Sequence, residues 1–459
     1  SNHWMFISSN GGVTAGRKNS EYALFPYYTD DKLTDMAEIT GSKTIFRLGT
    51  GDNAEIWEPF SIRGEGRYEV TRNLYKNKFG NKIRFEEVNH TLELTFSYQW
   101  SSSNLYGFVK TSVLKNLAGK ERKVVVLDGI QNVLPYGIES AMQSASSNLA
   151  DAYKRSELVE GSGLGIFALS AIIVDKAEPS EALKANIVWS LGLDNPLHLL
   201  SSLQLNRFRK GDTIREETDV KGEKGAYFVQ ANLSLTPGDQ QKWDIIANVN
   251  QNQSQIVRLN KLLSEGSSLG NDIRADVDRG TENLFRLTGA ADAMQLSSDE
   301  LKNARHYSNV LFNIMRGGIF DDDYRIEKRD FLSYLKGASR DVYRKHGRMR
   351  DSLNGTFDKS DLEHLISQQE DPDLIRLCTE YLPLKFSRRH GDPSRPWNRF
   401  SINTRSEVDG SKILDYEGNW RDIFQNWEAL VHSYPDFIEG MIFKFLNAST
   451  FDGYNPYRV

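Results

Sequence analysis

The residues with the most to offer chemically lie near the C-terminus, in the run Tyr416-Glu417-Gly418-Asn419-Trp420-Arg421-Asp422-Ile423-Phe424-Gln425-Asn426-Trp427. Wound as an α-helix, this run divides into two faces. Trp420, Ile423, Phe424, Trp427 and Val431 fall at the i, i+3, i+4, i+7 spacing of a buried stripe. Arg421, Asp422, Gln425 and Asn426 fall on the opposite side, because residues three and four apart share a helix face. That side offers planar donors and acceptors beside the edges of indole rings. A pyranose has apolar faces and a rim of hydroxyls, so the equipment suits a sugar. The same pattern also fits an amphipathic helix whose polar face is only hydrated, a common arrangement.

A second run, Phe386-Ser387-Arg388-Arg389-His390-Gly391-Asp392-Pro393-Ser394-Arg395-Pro396-Trp397-Asn398-Arg399-Phe400, holds two prolines and a glycine and reads as a loop. Its four arginines present fixed forks of donors that match carboxylates, phosphates or vicinal hydroxyls. A structural loop pinned by ion pairs would look the same. Arg395, Trp397 and Arg399 join Trp420, Arg421, Asp422, Gln425 and Asn426 as the substrate-binding candidates. Asp321-Asp322-Asp323 reads as a solvated turn, since calcium loops alternate their ligands rather than placing them side by side. The single cysteine, Cys378, sits in a helical pattern as a small core residue, and the eight histidines show no zinc spacing. No metal and no catalytic residue is assigned. Asp415, Asp422 and Glu428 are near the right helix, but their spacing does not mark an acid catalyst.

These groups must be held by the elements around them. The chain has 459 residues, with 57 Lys+Arg against 62 Asp+Glu, a formal net charge of −5. That balance gives no electrostatic reason to expect nucleic acid. The longest apolar run, Gly163 to Val174, is too short for a bilayer, which takes roughly 20 residues. The start, Ser1-Asn2-His3-Trp4, lacks a basic head followed by an apolar run, so a cytoplasmic location is expected.

From the start to about residue 250 the hydrophobic period is two. Leu92, Leu94, Phe96, Tyr98 and Trp100 alternate with Thr91, Glu93, Thr95, Ser97 and Gln99, the mark of an antiparallel sheet with one packed and one wetter face. Strands are predicted at 108–115, 123–130, 165–174, 185–193, 226–235 and 243–249, with 116–120 joining the first two as a hairpin. Strand–helix alternation and phosphate loops are absent, which excludes a Rossmann unit. After Asn250 the period becomes helical: 255–265, 268–288, 298–316, 331–345, 359–384, the helix from Trp420, and one near 437–446. The order is a β-sandwich domain over 1–250, a helical linker over 251–345, and an α domain over 346–459 whose aromatic residues outnumber their local apolar partners.

That order, with the sugar-facing helix, resembles the N-terminal part of cellobiose phosphorylase and related inverting disaccharide phosphorylases, glycoside hydrolase family 94. Phe6-Ile7-Ser8-Ser9-Asn10-Gly11-Gly12 is similar to the family's opening segment. Asn116 and Val124–Gly129 look like its long sandwich strands. Asn419–Asn426 resembles its Gly-aromatic-Arg-Asp-x-x-Gln-Asp motif on the first inner helix of an (α/α)6 barrel. The resemblance implies a galactose mutarotase-like supersandwich, a helical linker and the first part of that barrel. It implies sugar binding by Arg421. Asn426 stands where the family has Asp, which removes a charge-assisted bond of roughly 1.5–3 kcal/mol. The family's general acid and phosphate ligands come from later helices. The chain is therefore expected to be an N-terminal fragment carrying part of the donor-sugar subsite, inactive without the rest of the enzyme. It would use no cofactor, with inorganic phosphate as co-substrate. A hydrolase of the same architecture, a non-catalytic saccharide-binding module, and a platform for homodimers remain the alternatives.

Overall fold

The computed structural model describes residues 1–49, 54–145, 148–173, 182–266, 268–386, 393–394 and 401–455, leaving aside the side chains of Ser144, Arg421 and Asp422. The chain folds as two compact units, one built on Ser1–Thr281 and one from Glu282 onward.

The first unit is an antiparallel sandwich. In the strand Leu94–Ser103, Leu94, Phe96, Tyr98 and Trp100 are buried, while Thr95 and Gln99 are half-buried. Alternation of this kind forces one face of the strand inward. The same force sets the neighbouring strands. A five-stranded sheet runs in the order Leu197–Leu199, Gly225–Leu235, Arg122–Val133, Gly41–Leu48 and Glu55–Trp57. A nine-stranded sheet runs from the edge strand Asp219–Lys221 to the edge strand Val70–Lys76, with Gln240–Asn252 and Gly107–Asn116 paired near its middle. Phe46, Val126, Ile130 and Tyr227 from the smaller sheet meet Leu94, Phe96, Trp100 and Trp243 from the larger in one core. Each such side chain contributes about 1.5–3 kcal/mol by leaving water.

The hairpin expected at 116–120 does not form. Gly107–Asn116 pairs with Leu94–Ser103 and Gln240–Asn252, whereas Arg122–Val133 pairs with Gly41–Leu48 and Gly225–Leu235. The connection crosses from one sheet to the other. Asn116 pins the crossing, its Nδ2 donating to the carbonyls of Lys120 (2.8 Å) and Leu235 (2.9 Å).

Between the sheets lies a buried charge pair. Lys110 Nζ donates to Asp128 Oδ1 at 2.6 Å, and both side chains are fully enclosed. Asp128 also accepts from Thr44 Oγ1 (2.6 Å), Ser112 Oγ (2.9 Å) and Trp243 Nε1 (2.6 Å). Burial pulls the Lys110 ammonium below its ordinary range, while Asp128 pulls it back. Four donors on one carboxylate are what make a charge tolerable there.

Helices α1 (Gln253–Ser264) and α2 (Leu269–Gly289) follow the last strand. Leu259, Leu269, Ile273 and Val277 cover Val109, Leu164, Ile187, Trp189 and Ile246 on the outer face of the larger sheet. Asn252 and Gln255 form a capping box at the start of α1. Residues 251–281 thus belong to the sandwich unit instead of standing apart as a connector: their apolar stripe needs a partner, and the sheet face supplies it.

In the second unit, α3 (Glu300–Gly317) leads to the strand Ile319–Phe320. The chain comes back through Leu384–Lys385, paired antiparallel with it: Ile319 faces Lys385 and Phe320 faces Leu384. The enclosed residues form a module with a core of their own, including Ile326, Phe331, Leu335, Phe357, Leu374, Leu377 and Cys378. It contains a strand pair, Arg325–Glu327 with Thr356–Asp358, and five helices: α4 (Lys328–Ala338), α5 (Arg340–Lys345), α6 (Gly347–Ser352), α7 (Lys359–Ser367) and α8 (Pro372–Thr379). The helical stretches expected over 331–345 and 359–384 each hold more than one helix. Ser339 caps α5 by accepting from the Val342 N–H, and Asp371 caps α8 with Pro372 in its first turn. Cys378 is a core residue, its thiol pushed up to about 12 by burial.

Outside the module, α3, α9 (Trp420–Val431) and α10 (Ile438–Ala448) share a second core that includes Ile314, Phe320, Leu384, Ile423, Trp427 and Met441. Scaffold and module are therefore separately packed. Among the described residues, no helix is long and apolar enough to cross a membrane.

Candidate functional site

Helix α9 buries the stripe its spacing predicts. Trp420, Ile423 and Trp427 are buried, with Phe424 and Val431 half-buried. The Trp420 ring stacks on Phe424 at 5.6 Å between centroids and meets Phe445 edge-on at 5.3 Å. Trp427 Nε1 donates to the Gly317 carbonyl at 2.9 Å. Gly317 is required here, because a Cβ at that position would lie 2.5 Å from Asn426 Cβ.

The polar face divides. Gln425 is exposed. Asn426 is only 6% exposed, and its Nδ2 donates to Asn313 Oδ1 on α3 at 2.9 Å. It is turned toward a neighbouring helix, not toward an open cleft as the sequence analysis expects. Residue 426 sits about 100° around the helix from Trp427, at the flank of the buried stripe, and α3 covers that flank. Trp420 is likewise a core ring, not an exposed platform, although its buried Nε1 has no acceptor among the described residues. The side chains of Arg421 and Asp422, and the whole of Arg395, Trp397 and Arg399, lie outside the described residues.

Carboxylates gather at the stem of the module. The turn at 321–323 is not simply solvated. Asp321 is buried and accepts from Lys385 Nζ and Lys412 Nζ, both at 2.7 Å. Burial alone would raise its pKa, but the two lysines outweigh burial and hold the carboxyl below its usual range. Asp323 accepts from the Tyr434 hydroxyl at 2.7 Å. Among the described residues, Asp330 is the one carboxyl held above the ordinary range, first by burial and then by the charges of Glu327, Asp321 and Asp415; the Tyr381 hydroxyl, donating at 2.6 Å, opposes this. A carboxyl that keeps its proton longer is what acid catalysis asks for. One of its oxygens is already occupied by Tyr381. No group of three His, Cys, Asp or Glu side chains among the described residues is placed to hold a metal ion.

The module also carries a cavity of about 670 Å³ between α5, α6 and α7. Lys345, Arg348, His364, Gln368 and Gln369 line it, over Met349 and Leu365. The helical period of 331–345 does not single out this place. A signal was there: residues 340–350 hold Arg340, Arg344, Lys345, Arg348 and Arg350 against Asp341 alone.

Residues 320–383 match the family model of glycoside hydrolase family 149 insertion domain 1. These are nearly the bounds at which the Ile319–Phe320 and Leu384–Lys385 strands close off the module. No curated protein matches the chain. Among solved structures it is similar to a bacterial glucoamylase complexed with acarbose, at 8% identity and a TM-score of 0.41, over 74% of this chain and 46% of that one. It is similar to a protein described as a kojibiose phosphorylase from the human microbiome, at 8% identity and a TM-score of 0.35, over 86% and 45%. It is similar to a galactose mutarotase-like protein from Clostridium acetobutylicum, at 9% identity and a TM-score of 0.25, over 55% and 98%. The chain spans less than half the length of the glucoamylase and of the kojibiose phosphorylase.

Proposed function

We propose that this chain is part of a carbohydrate-active enzyme that cleaves glycosidic bonds, and that it forms the N-terminal portion of an inverting phosphorylase acting on a disaccharide. The observation that carries the reading is the match of residues 320–383 to an insertion domain of a glycoside hydrolase family, at the bounds where the structure isolates a separately packed module. A match to that module implies a host enzyme, and in the sequence the sandwich precedes the module while α3 and α9 flank it.

On this reading α9 opens a helical barrel and supplies one wall of the donor-sugar subsite. Arg421, Asp422 and Gln425 are the proposed sugar ligands of this helix, and Arg395, Trp397 and Arg399 are further candidates. Asn426 and Trp420 act at one remove, by fixing α9 on α3 and in the core. In an inverting phosphorolysis a carboxylic acid protonates the glycosidic oxygen while phosphate attacks the anomeric carbon from the other face. The C–O bond to the leaving sugar breaks, a C–O bond to phosphate forms, and a sugar phosphate is released. Further parts of the enzyme supply that acid and the phosphate ligands.

The test is incubation of the full-length enzyme with β-linked disaccharides, with and without orthophosphate. Sugar phosphate appears only with phosphate if the reading is right. Equal cleavage in its absence makes the enzyme a hydrolase, the second reading, which the family name of the matched module favours. Calorimetry with the released monosaccharide then tests the subsite. Arg421→Ala is expected to weaken binding at least about tenfold, since a charge-assisted hydrogen bond contributes about 1.5–3 kcal/mol. Unchanged affinity removes α9 from the site.

A further inference from the structure

The cavity between α5, α6 and α7 has no role in the function proposed above, and its lining has a chemistry of its own. We infer that it binds a phosphate-bearing small molecule, either free orthophosphate or a phosphorylated sugar. The inference stands on the module's side chains and does not depend on the phosphorolytic reading.

Size comes first. At about 670 Å³ the cavity has room for a small molecule, and it is open to solvent, with Lys345, Arg348, Asp361, His364 and Gln368 exposed. Charge comes next. The chain as a whole is acidic at −5, yet among the described residues that line the cavity two side chains are cations, Lys345 and Arg348, against the carboxylate of Asp361. Arg348, on α6, lines the cavity and has no carboxylate partner among the described residues, so its planar fork of donors is open to a ligand. Such a fork matches phosphate oxygens two at a time.

Asp371 is paired with basic side chains, whereas Asp361 keeps its charge. Asp371 accepts from Lys345 Nζ at 2.7 Å and from His346 Nε2 at 2.8 Å. Asp361, the one carboxylate in the lining, accepts the Asp358 N–H at the start of α7. Lys345 has three donors and gives one to Asp371, which leaves two for a ligand. Across the cavity His364 and Gln368 are joined through their nitrogens at 2.9 Å and present further polar edges. Met349 and Leu365 supply an apolar floor on which a sugar ring can rest. Among the described residues no Phe, Tyr or Trp lines the cavity, so a neutral sugar lacks the large stacking surface that usually holds it. Cations at the rim over a small apolar floor favour a ligand with a charged head.

The test is isothermal titration of the full chain with orthophosphate, glucose 1-phosphate, glucose and sulfate at constant ionic strength. Saturable binding of a phosphate-bearing ligand is expected, with none for glucose. Glucose 1-phosphate binding about tenfold tighter than orthophosphate, a difference of about 1.4 kcal/mol, identifies a phosphorylated sugar. Equal affinities identify free phosphate. Arg348→Gln is expected to weaken either ligand at least tenfold, and His364→Ala less, with the unliganded melting temperature unchanged because both side chains are exposed. Binding that Arg348→Gln leaves intact, equal binding of sulfate and phosphate, or preference for glucose overturns the inference.

Discussion

Two buried aspartates show how differently the protein's two units treat charge. Asp128, between the sheets of the sandwich, is fully enclosed with a fully enclosed lysine and three neutral donors. Asp321, at the stem of the helical unit's module, is nearly as buried, yet its two lysines are 29% and 40% exposed. Around Asp128 water has no access to either partner, so the pair can only be intact or broken. Around Asp321 the lysines keep contact with solvent, and the charge remains open to titration and to salt. Rigid chemistry lies in the sandwich, and adjustable chemistry lies where the module joins its scaffold.

The comparison breaks most sharply at Asp128→Ala. That change leaves the Lys110 ammonium buried and unpaired, and is expected to cost about 3–5 kcal/mol in urea unfolding. A loss below about 1 kcal/mol would mean that water reaches Lys110 after all.

Next in size is Gly317→Ala, within the helical unit. The new methyl would sit 2.5 Å from Asn426 Cβ. Overpacking of this kind costs about 1–3 kcal/mol, or moves α9 away from α3. Loss of the Trp427 Nε1 bond to the Gly317 carbonyl, followed by tryptophan fluorescence, would report the movement. A fully native spectrum and unchanged stability would show that the two helices are less tightly joined than their contacts suggest.

Much of this arrangement is legible in the sequence, and the gaps have physical causes. The alternation of Leu94, Phe96, Tyr98 and Trp100 and the stripe of Trp420, Ile423 and Trp427 are local patterns, so the elements and their buried faces can be read directly. Pairing is not local. The residues after Asn116 look the same whether the loop closes a hairpin or crosses between sheets, and the deciding bonds come from the carbonyls of Leu235 and Thr236, far along the chain. Asn426 is buried instead of exposed for a similar reason: its partner, Asn313, precedes the whole module in the sequence. The module itself is hard to see because no composition change marks its edges. Two two-residue strands close it.

A smaller effect tests the outer aspartate. The folded-state pKa of Asp321 is depressed, so its stabilising contribution is complete above the unfolded value of about 3.9 and is lost as pH falls through the folded value. Asp321→Asn should therefore lower stability at neutral pH and flatten the acid limb of the stability–pH curve, and added salt should narrow the gap between wild type and variant. Asp128 gives the contrast, since salt cannot screen a pair that water does not reach. Equal salt sensitivity at both sites would erase the distinction between them.

The smallest expected effect lies on α9 and separates structure from ligand contact one residue apart. Asn426→Ala removes the bond to Asn313 and leaves its half-buried oxygen without that donor, a cost of about 1 kcal/mol. Gln425→Ala touches only solvent and should change stability by less than about 0.5 kcal/mol. If α9 faces a sugar, the order reverses in saccharide titrations: Gln425→Ala weakens binding directly, whereas Asn426→Ala acts only as far as it loosens the helix. Chemical denaturation and calorimetry on the same two variants decide the matter. A Gln425→Ala variant that binds as well as wild type leaves the exposed side of α9 an ordinary hydrated surface, and the subsite would then have to be sought on other elements.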